Sequence, residues 1–261
     1  MSETRARLDA LLVDQGLVES RQKAQALILA GAVRVRGEVV TKAGTRYDPG
    51  EEVSIEGSSP YISRAGEKLA FALDAFEIVV GGRSCLDAGA STGGFTDVLL
   101  QRGAERVVSV DVGYGQLDWR LRGDPRVTVL ERTNVRRLSR QELPYAPDLL
   151  VADLSFISLS VALPGLLRTV PEITEAVLLV KPQFEAGPEE VGRGGLVRDT
   201  VVHERVIHSV AEAFGTLGLG AVGVERSPVA GRRSGNREYP LHLRRGARTL
   251  DGDTVRRAVR G

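Results

Sequence analysis

The chain has one cysteine, Cys85, so no intramolecular disulfide can form. That fits a reducing compartment. It has three histidines; His203 and His208, five apart on a predicted helix, do not share a face, and no metal site is expected. No stretch approaches the roughly 18 unbroken apolar residues of a transmembrane helix. Residues 1–5 lack the apolar run of a signal peptide, so a cytoplasmic protein is expected. Excess charge of one sign is also missing: the net charge is +1, and composition alone does not mark a nucleic-acid binder. Lysine is scarce. Of 35 basic residues only Lys23, Lys42, Lys68 and Lys181 are lysines. Arginine stays protonated whereas a lysine amine can lose its proton, so a surviving lysine points to a place where arginine will not serve.

At 261 residues, 42% hydrophobic and 26% charged, the chain has the material for one medium and one small domain. Leu8, Leu11 and Leu12 predict a helix over 8–17, and a second runs from a Ser20 cap through Ala24, Leu27 and Ile28 to a stop at Gly31. Val33 to Arg36 alternates as a half-buried strand. Gly37 begins a turn, and Val53 to Ile55 follows the turn at Pro49 and Gly50 as another strand. Residues 57–60 read as a linker. The basic residues before Val40 bunch at element starts, where they can share a face.

The strings Arg7-Leu-Asp-Ala-Leu-Leu12, Ser20-Arg21 with Lys23-Ala24, and Gly31-Ala-Val33-Arg-Val35 with Gly37 resemble the S4 RNA-binding domain. The resemblance implies a small α+β unit whose two helices face structured RNA, with Arg5, Arg7, Arg21 and Lys23 meeting mostly phosphate. Cations such as Arg21 and Lys23 in the first turn oppose the helix dipole, and RNA would supply the reason for them.

From Ile62 onward the pattern changes. Residues 67–75 read as a helix, with Leu69, Ala70, Leu73 and Phe76 on one face. Apolar strands are expected at 85–86, 107–110, 127–130, 149–152, 177–180, 221–224 and 241–243, alternating with helices near 94–102, 159–167 and 201–217. Seven strands with intervening helices mean an α/β fold with a mostly parallel sheet, the size of a Rossmann-like class I methyltransferase domain. The expected organisation is a first domain over 1–59, a linker over 60–64, a second domain over 65–246 and a basic tail over 247–261. That tail frays or forms a short helix at 254–259.

Asp87-Ala-Gly89-Ala-Ser91-Thr-Gly93-Gly94-Phe95 joins a strand end to a helix start through a glycine-rich turn, which lets backbone approach a ligand. Its spacing is not that of the dinucleotide fingerprint. Asp111, about 20 residues on and ending the next strand, suits ribose hydroxyls and supports a nucleoside cofactor without choosing which. The string from Leu86 to Asp97 resembles motif I of the FtsJ-type methyltransferases. That resemblance implies S-adenosylmethionine, with Asp87, Gly89, Ala90, Ser91, Thr92, Gly93, Gly94 and Phe95 around its methionine part. Asp111 would hold the ribose, Asn134 would lie by the adenine, and Asp153 would share the site.

Lys68, Asp153, Lys181 and Glu238 complete the set. Asp153 and Lys181 end predicted strands and should face one crevice. In this order the four resemble the catalytic tetrad of 2′-O-methyltransferases. Together with the S4 unit, Ser63-Arg-Ala-Gly-Glu-Lys68, Asp153-Leu-Ser-Phe-Ile-Ser158 and Lys181-Pro-Gln-Phe-Glu185, they resemble the TlyA family. That family is named for hemolysis but described as methylating cytidine 2′-hydroxyls in 16S and/or 23S rRNA. The resemblance implies an RNA partner, expected as the assembled ribosomal subunit, for a monomer that needs no membrane. Lys181 is the candidate for activating the hydroxyl, as neutral base or as a cation stabilising developing alkoxide, with Asp153 and Glu238 setting its state and Lys68 holding substrate or tuning the carboxylates. Arg64, Arg232 and Arg233 are further RNA candidates, and the glycine-rich stretch 187–199 reads as a mobile flap near the cofactor. A membrane-active cytolysin would need an amphipathic or apolar insertion segment, and none is present. A non-catalytic RNA-binding protein would show a broken motif I or tetrad, and both are intact. A pseudouridine synthase would lack Asp87 to Gly94 followed by Asp111.

Overall fold

The computed structural model describes residues 5–55, 60–230, 235–247 and 250–261. Arg232, Arg233 and most of the 57–60 linker lie outside the described residues. The chain divides into two compact units, residues 1–60 and 61–261.

In the first unit, β1 (Ala6–Arg7) leads into α1 (Leu8–Asp14) and α2 (Arg21–Leu29), followed by β2 (Val33–Val35), β3 (Glu38–Val39), β4 (Arg46–Tyr47) and β5 (Val53–Ile55). β1 pairs with β4, and the other three form a sheet in the order β3-β2-β5. Leu8, Leu12, Val18, Ala24, Ile28, Val33 and Val35 make its core. Helix α1 ends at Asp14, earlier than the leucine spacing suggests, because the chain turns through Gly16 (φ +69°) and Leu17 N–H returns to Leu12 O at 2.9 Å. Ser20 Oγ accepts from Lys23 N–H at 3.3 Å and caps α2.

The second unit opens with α3 (Arg64–Ala75), β6 (Ser84–Ala88), α4 (Gly94–Gln101), β7 (Arg106–Val110), α5 (Trp119–Arg122), β8 (Val127–Leu130) and β9 (Leu149–Ala152). It continues with α6 (Leu159–Ala162), α7 (Pro164–Thr169), β10 (Glu175–Val180), α8 (Pro182–Glu185), α9 (Thr200–Gly215), β11 (Leu219–Val224), β12 (Tyr239–Arg245) and α10 (Gly252–Arg260). The seven strands form one sheet in the order β11-β12-β10-β9-β6-β7-β8. β8, β7, β6, β9 and β10 run parallel, while β12 is antiparallel to both β10 and β11. Alternate residues serve opposite faces. Cys85, Val107, Leu149 and Val177 belong to the core cluster that includes α3 and α4, whereas Leu86, Val108, Leu150 and Leu178 belong to the one that includes α6, α7, α9 and α10. Burial on both faces explains why these strands read as near-continuous apolar runs.

Two expectations change, and one open alternative is decided. Pro164, lacking an N–H, splits the single helix expected over 159–167 into α6 and α7. Residues 61–64 are not a spacer, because Tyr61 and Ile62 pack on the core and Arg64 starts α3. Of the two alternatives for the tail, the helix is the one that forms: Asp251 Oδ1 caps α10 by accepting from Thr254 N–H at 2.8 Å, and Val255, Ala258 and Val259 are buried in the core beside α9.

Candidate active site

The chain moves outward from β6 through β7 to β8, then places β9 on the other side of β6. Neighbouring strands that lead to opposite sides open a crevice at their carboxyl ends, where open α/β sheets bind ligands. β6 carries the glycine turn to this crevice and β9 carries Asp153. The two meet directly. Asp153 N–H donates to Ala88 O at 3.0 Å, and a Cβ at Gly89 (φ +86°) would fall 2.6 Å from Asp153 O. Gly93 (φ +99°) is as tightly bounded, since a Cβ there would fall 2.2 Å from Leu121 Cδ1. Glycine alone suits such positions.

Asp111 ties this turn to the next loop. Its Oδ2 accepts from Ser91 N–H at 2.8 Å, and its Oδ1 accepts from Gly113 N–H at 2.7 Å. Ser91 and Thr92 are exposed and Ala90 is buried. Asn134 is exposed and folds onto its own turn, its Oδ1 accepting from Arg136 N–H at 3.0 Å. Two of the expected cofactor residues are buried. Phe95 is buried in the core against α3, because it occupies the apolar face of α4, and only its backbone is left for a ligand. Asp87 is wholly buried: its Oδ2 accepts from Thr96 Oγ1 at 2.7 Å, with Ser109 Oγ 2.7 Å beyond, and its Oδ1 has no hydrogen-bond partner among the described residues. Burial pushes the Asp87 carboxyl up to about 7, against the opposing hydrogen bond from Thr96.

Two lysine–carboxylate pairs edge the crevice. Lys181 directly follows β10 and Glu238 directly precedes β12. Val180 pairs with Tyr239, so both residues leave the sheet at the same end. Lys181 Nζ lies 2.5 Å from Asp153 Oδ1 and donates to Ser155 Oγ at 3.0 Å. Lys68 Nζ donates to Glu238 Oε2 at 2.5 Å. Lys68, Lys181 and Glu238 are 9%, 7% and 3% exposed, and charges so far from water persist only in company. Glycines bring Lys68 to its place. A Cβ at Gly66 would fall 2.4 Å from Tyr61 Cβ, and one at Gly94 would fall 3.0 Å from Gly66 N, so α3 and α4 cross at van der Waals contact.

Sequence reasoning passed over two neighbours of Lys181. Ser155 accepts its hydrogen bond. Phe156 is 86% exposed with a left-handed backbone (φ +65°), and its ring stands 5.2 Å from that of Phe184. A non-glycine in that conformation costs about 1–3 kcal/mol and is kept where the surroundings or function require it. The loop carrying it is anchored beyond Phe156: Glu185, after Phe184, accepts from Ser158 Oγ at 2.7 Å and Leu159 N–H at 2.8 Å. Phe156 lay inside a quoted motif, but a one-dimensional string does not distinguish an exposed ring from a core one. A second exposed aromatic group surrounds the Asp111 loop. Tyr114 is 67% exposed beneath the Arg132 guanidinium at 4.2 Å, and Trp119 is 75% exposed.

In the first unit the arginines assigned to RNA are organised from within. Asp9 is fully buried and accepts from Arg7 (3.0 Å), Arg21 (3.2 Å) and Gln25 (2.7 Å). Arg7, with Gln25 and Arg21, holds its carboxyl well below the usual carboxylate range. Arg7 and Arg21 keep about half their side-chain surface exposed. Arg5 pairs with Asp48 at 3.3 Å, Lys23 pairs with Glu19 at 2.8 Å, and Arg64 is exposed.

Fold and crevice together define a Rossmann-like α/β domain with a switch-point crevice of the kind that binds ligands, preceded by a separate small α+β unit. Comparison makes this particular: residues 61–245 match the FtsJ-like methyltransferase family and residues 6–53 match the S4 domain, so the chain belongs to the FtsJ-like methyltransferases and carries an S4 domain. It is 51% identical to the 16S/23S rRNA (cytidine-2′-O)-methyltransferase TlyA of Mycobacterium tuberculosis, over 92% of this chain and 90% of that protein. It is 39% identical to Hemolysin A of Brachyspira hyodysenteriae, over 91% of this chain and 99% of that protein. A solved structure of a hemolysin-named protein from Streptococcus thermophilus superposes with a TM-score of 0.74 at 38% identity, over 99% of this chain and 97% of that one. Among the described residues no helix is long and apolar enough to cross a membrane.

Proposed function

We propose that this chain transfers a methyl group from S-adenosylmethionine to the 2′-hydroxyl of a cytidine ribose in ribosomal RNA, acting as a monomer on assembled subunits in the cytoplasm. The observation that carries the reading is the pair of buried lysine–carboxylate contacts, Lys181–Asp153 and Lys68–Glu238, at the switch-point crevice beside the glycine turn. The site suits the cofactor: left-handed Gly89 and Gly93 let the turn pack directly on Asp153 and Leu121, which no Cβ would allow, so its backbone reaches the crevice, and Asp87 Oδ1 is a buried acceptor without a partner among the described residues. Asp87, Gly89, Ser91, Asp111 and Asn134 would hold it. Bound S-adenosylmethionine supplies a methyl already made electrophilic by its sulfonium, so the reaction calls for no metal.

What remains for the chain is alignment and charge. A ribose hydroxyl is a weak nucleophile until its proton is drawn away. Lys181, fixed between Asp153 and Ser155, presents its amine to that hydroxyl and steadies the developing alkoxide, and the proton passes to the Lys181–Asp153 pair. Lys68 and Glu238 hold the ribose side of the crevice, and Phe156 offers a face for the cytosine base. The S4 domain docks folded RNA through Arg5, Arg7, Arg21 and Lys23, with Arg64, Arg232 and Arg233 as further contacts. The test is transfer of labelled methyl to purified unmethylated ribosomal subunits by wild type and Lys181→Ala. Label recovered in a 2′-O-methylated cytidine, and lost in the variant while cofactor still binds, supports the reading. Equal labelling by both proteins refutes the role of Lys181, and label on a base rather than a ribose refutes the reaction.

A further inference from the structure

The stretch between α8 and α9, residues 186–199, leaves the end of the sheet that carries Lys181. It is fastened by side chains that bracket Glu238. Val197 is buried, and both its backbone polar groups are taken. Its N–H donates to Asn236 Oδ1 at 2.9 Å, and its carbonyl accepts from His203 Nε2 at 3.0 Å. Asn236 Nδ2 also donates to Gly195 O at 2.7 Å. His203 Nδ1 lies 2.7 Å from the Tyr239 hydroxyl; burial lowers the imidazole pKa, and in the neutral ring, with its proton on Nε2 for the Val197 carbonyl, Nδ1 accepts from that hydroxyl. Asn236 and Tyr239 are wholly buried and His203 is 2% exposed.

A surface loop has no need of such fixing, since water satisfies its backbone. Here two buried polar side chains, Asn236 and His203, are committed to the backbone of Val197 and Gly195, and a third, Tyr239, holds the His203 ring. The turn that makes this geometry runs through Gly194 and Gly195, both left-handed (φ +76° and +75°). Two of the three fastening residues, Asn236 and Tyr239, stand on either side of Glu238 in the chain. The strap therefore begins just beyond Lys181 and is tied down around Glu238.

We propose that Asn236 is a positioning residue. By gripping the strap at Gly195 and Val197 it fixes the backbone leading into Glu238, and so sets the Lys68–Glu238 pair. The inference rests on the catalytic reading of that pair given above. Asn236 acts through Glu238 and does not itself meet the substrate.

A double-mutant cycle on the full chain tests this, with kcat and both KM values measured on unmethylated subunits for wild type, Asn236→Ala, Glu238→Gln and the double variant. The expected result is a kcat reduced about tenfold by Asn236→Ala in the wild-type background, less than about twofold in the Glu238→Gln background, as coupled groups behave. The KM for S-adenosylmethionine stays unchanged. Equal losses in both backgrounds would assign Asn236 to the general stability of the fold and overturn the inference while leaving the tetrad reading intact. Full activity of Glu238→Gln would remove the tetrad reading and this inference with it. Should Asn236→Ala not fold, Asn236→Asp carries the same cycle, because it keeps the acceptor for Val197 N–H and loses the donor to Gly195 O.

Discussion

Lys181 Nζ lies 2.5 Å from Asp153 Oδ1, joining residues that directly follow two adjacent parallel strands, β10 and β9. Each is a strand's exit residue, so the pair holds its geometry through the sheet itself. A compact ammonium sits between Asp153 and Ser155, a geometry that differs from the planar fork of a guanidinium. Lys181→Arg and Lys181→Ala are both expected to lower kcat about 10²–10⁴-fold, with S-adenosylmethionine affinity retained. Methyl transfer and calorimetric cofactor titration together check this. Near wild-type turnover by Lys181→Arg would show that a fixed positive charge suffices.

Phe156 is exposed and conformationally costly, so the folded chain gains little from its ring. Phe156→Ala is expected to leave the melting temperature within a degree or two while cutting kcat/KM for RNA about 5- to 100-fold, the range for loss of one base stack. Thermal melts and RNA kinetics on the same preparations decide. A large drop in melting temperature would make Phe156 a structural residue.

Asp87 gives a pH signature. Its carboxyl is raised to about 7 in the folded chain by burial, so between its ordinary range near 4 and about 7 the folded state binds more protons than the unfolded one. Stability from this group is therefore full at low pH and is lost as pH rises through that window. Asp87→Asn removes the ionisation, so its stability relative to wild type should improve by about 1–3 kcal/mol between pH 4.5 and 8. Urea melts at both pH values measure the difference, and an unchanged difference would mean that the carboxylate is satisfied when charged.

Asp9 has the opposite sign. Held below its usual range by Arg7, Gln25 and Arg21, it stabilises the first unit above pH 4 and loses that contribution as pH falls further. Asp9→Asn should also free the two guanidiniums from their common anchor. The expected result is a KM for RNA raised about three- to tenfold with kcat kept, consistent with weakening one or two phosphate contacts. A change confined to kcat would contradict the docking role.

Most of this protein was legible in one dimension because its signals are local. Strands buried on both faces spell continuous apolar runs, so the seven β-strands of the second unit could be read with errors only at their ends. Ser20, Gly31 and the glycine turn after Asp87 each announce a helix boundary by their own backbone chemistry. Lys68, Asp153, Lys181 and Glu238 were singled out by their resemblance to a known tetrad, with strand-end position and the scarcity of lysine pointing the same way for some of them. Where local signals were weak, the reading left alternatives open, a frayed tail or a short helix at the C-terminal end. Residues 252–260 look basic and poor in apolar residues, yet Val255, Ala258 and Val259 fall on one helix face and are buried.

Sequence alone determined the element types, the fold class and which residue kinds could do chemistry, because periodicity, capping and turn preferences depend on a few neighbouring positions. Tertiary structure alone decided which lysine faces which carboxylate, that Asp87 and Phe95 point inward, that Phe156 points out, and that Asn236 and His203 grip the strap at Val197. Those facts depend on residues up to 170 positions apart, as Lys68 and Glu238 are. Strand order and helix crossing set such distances, and nothing in the spacing along the chain encodes them.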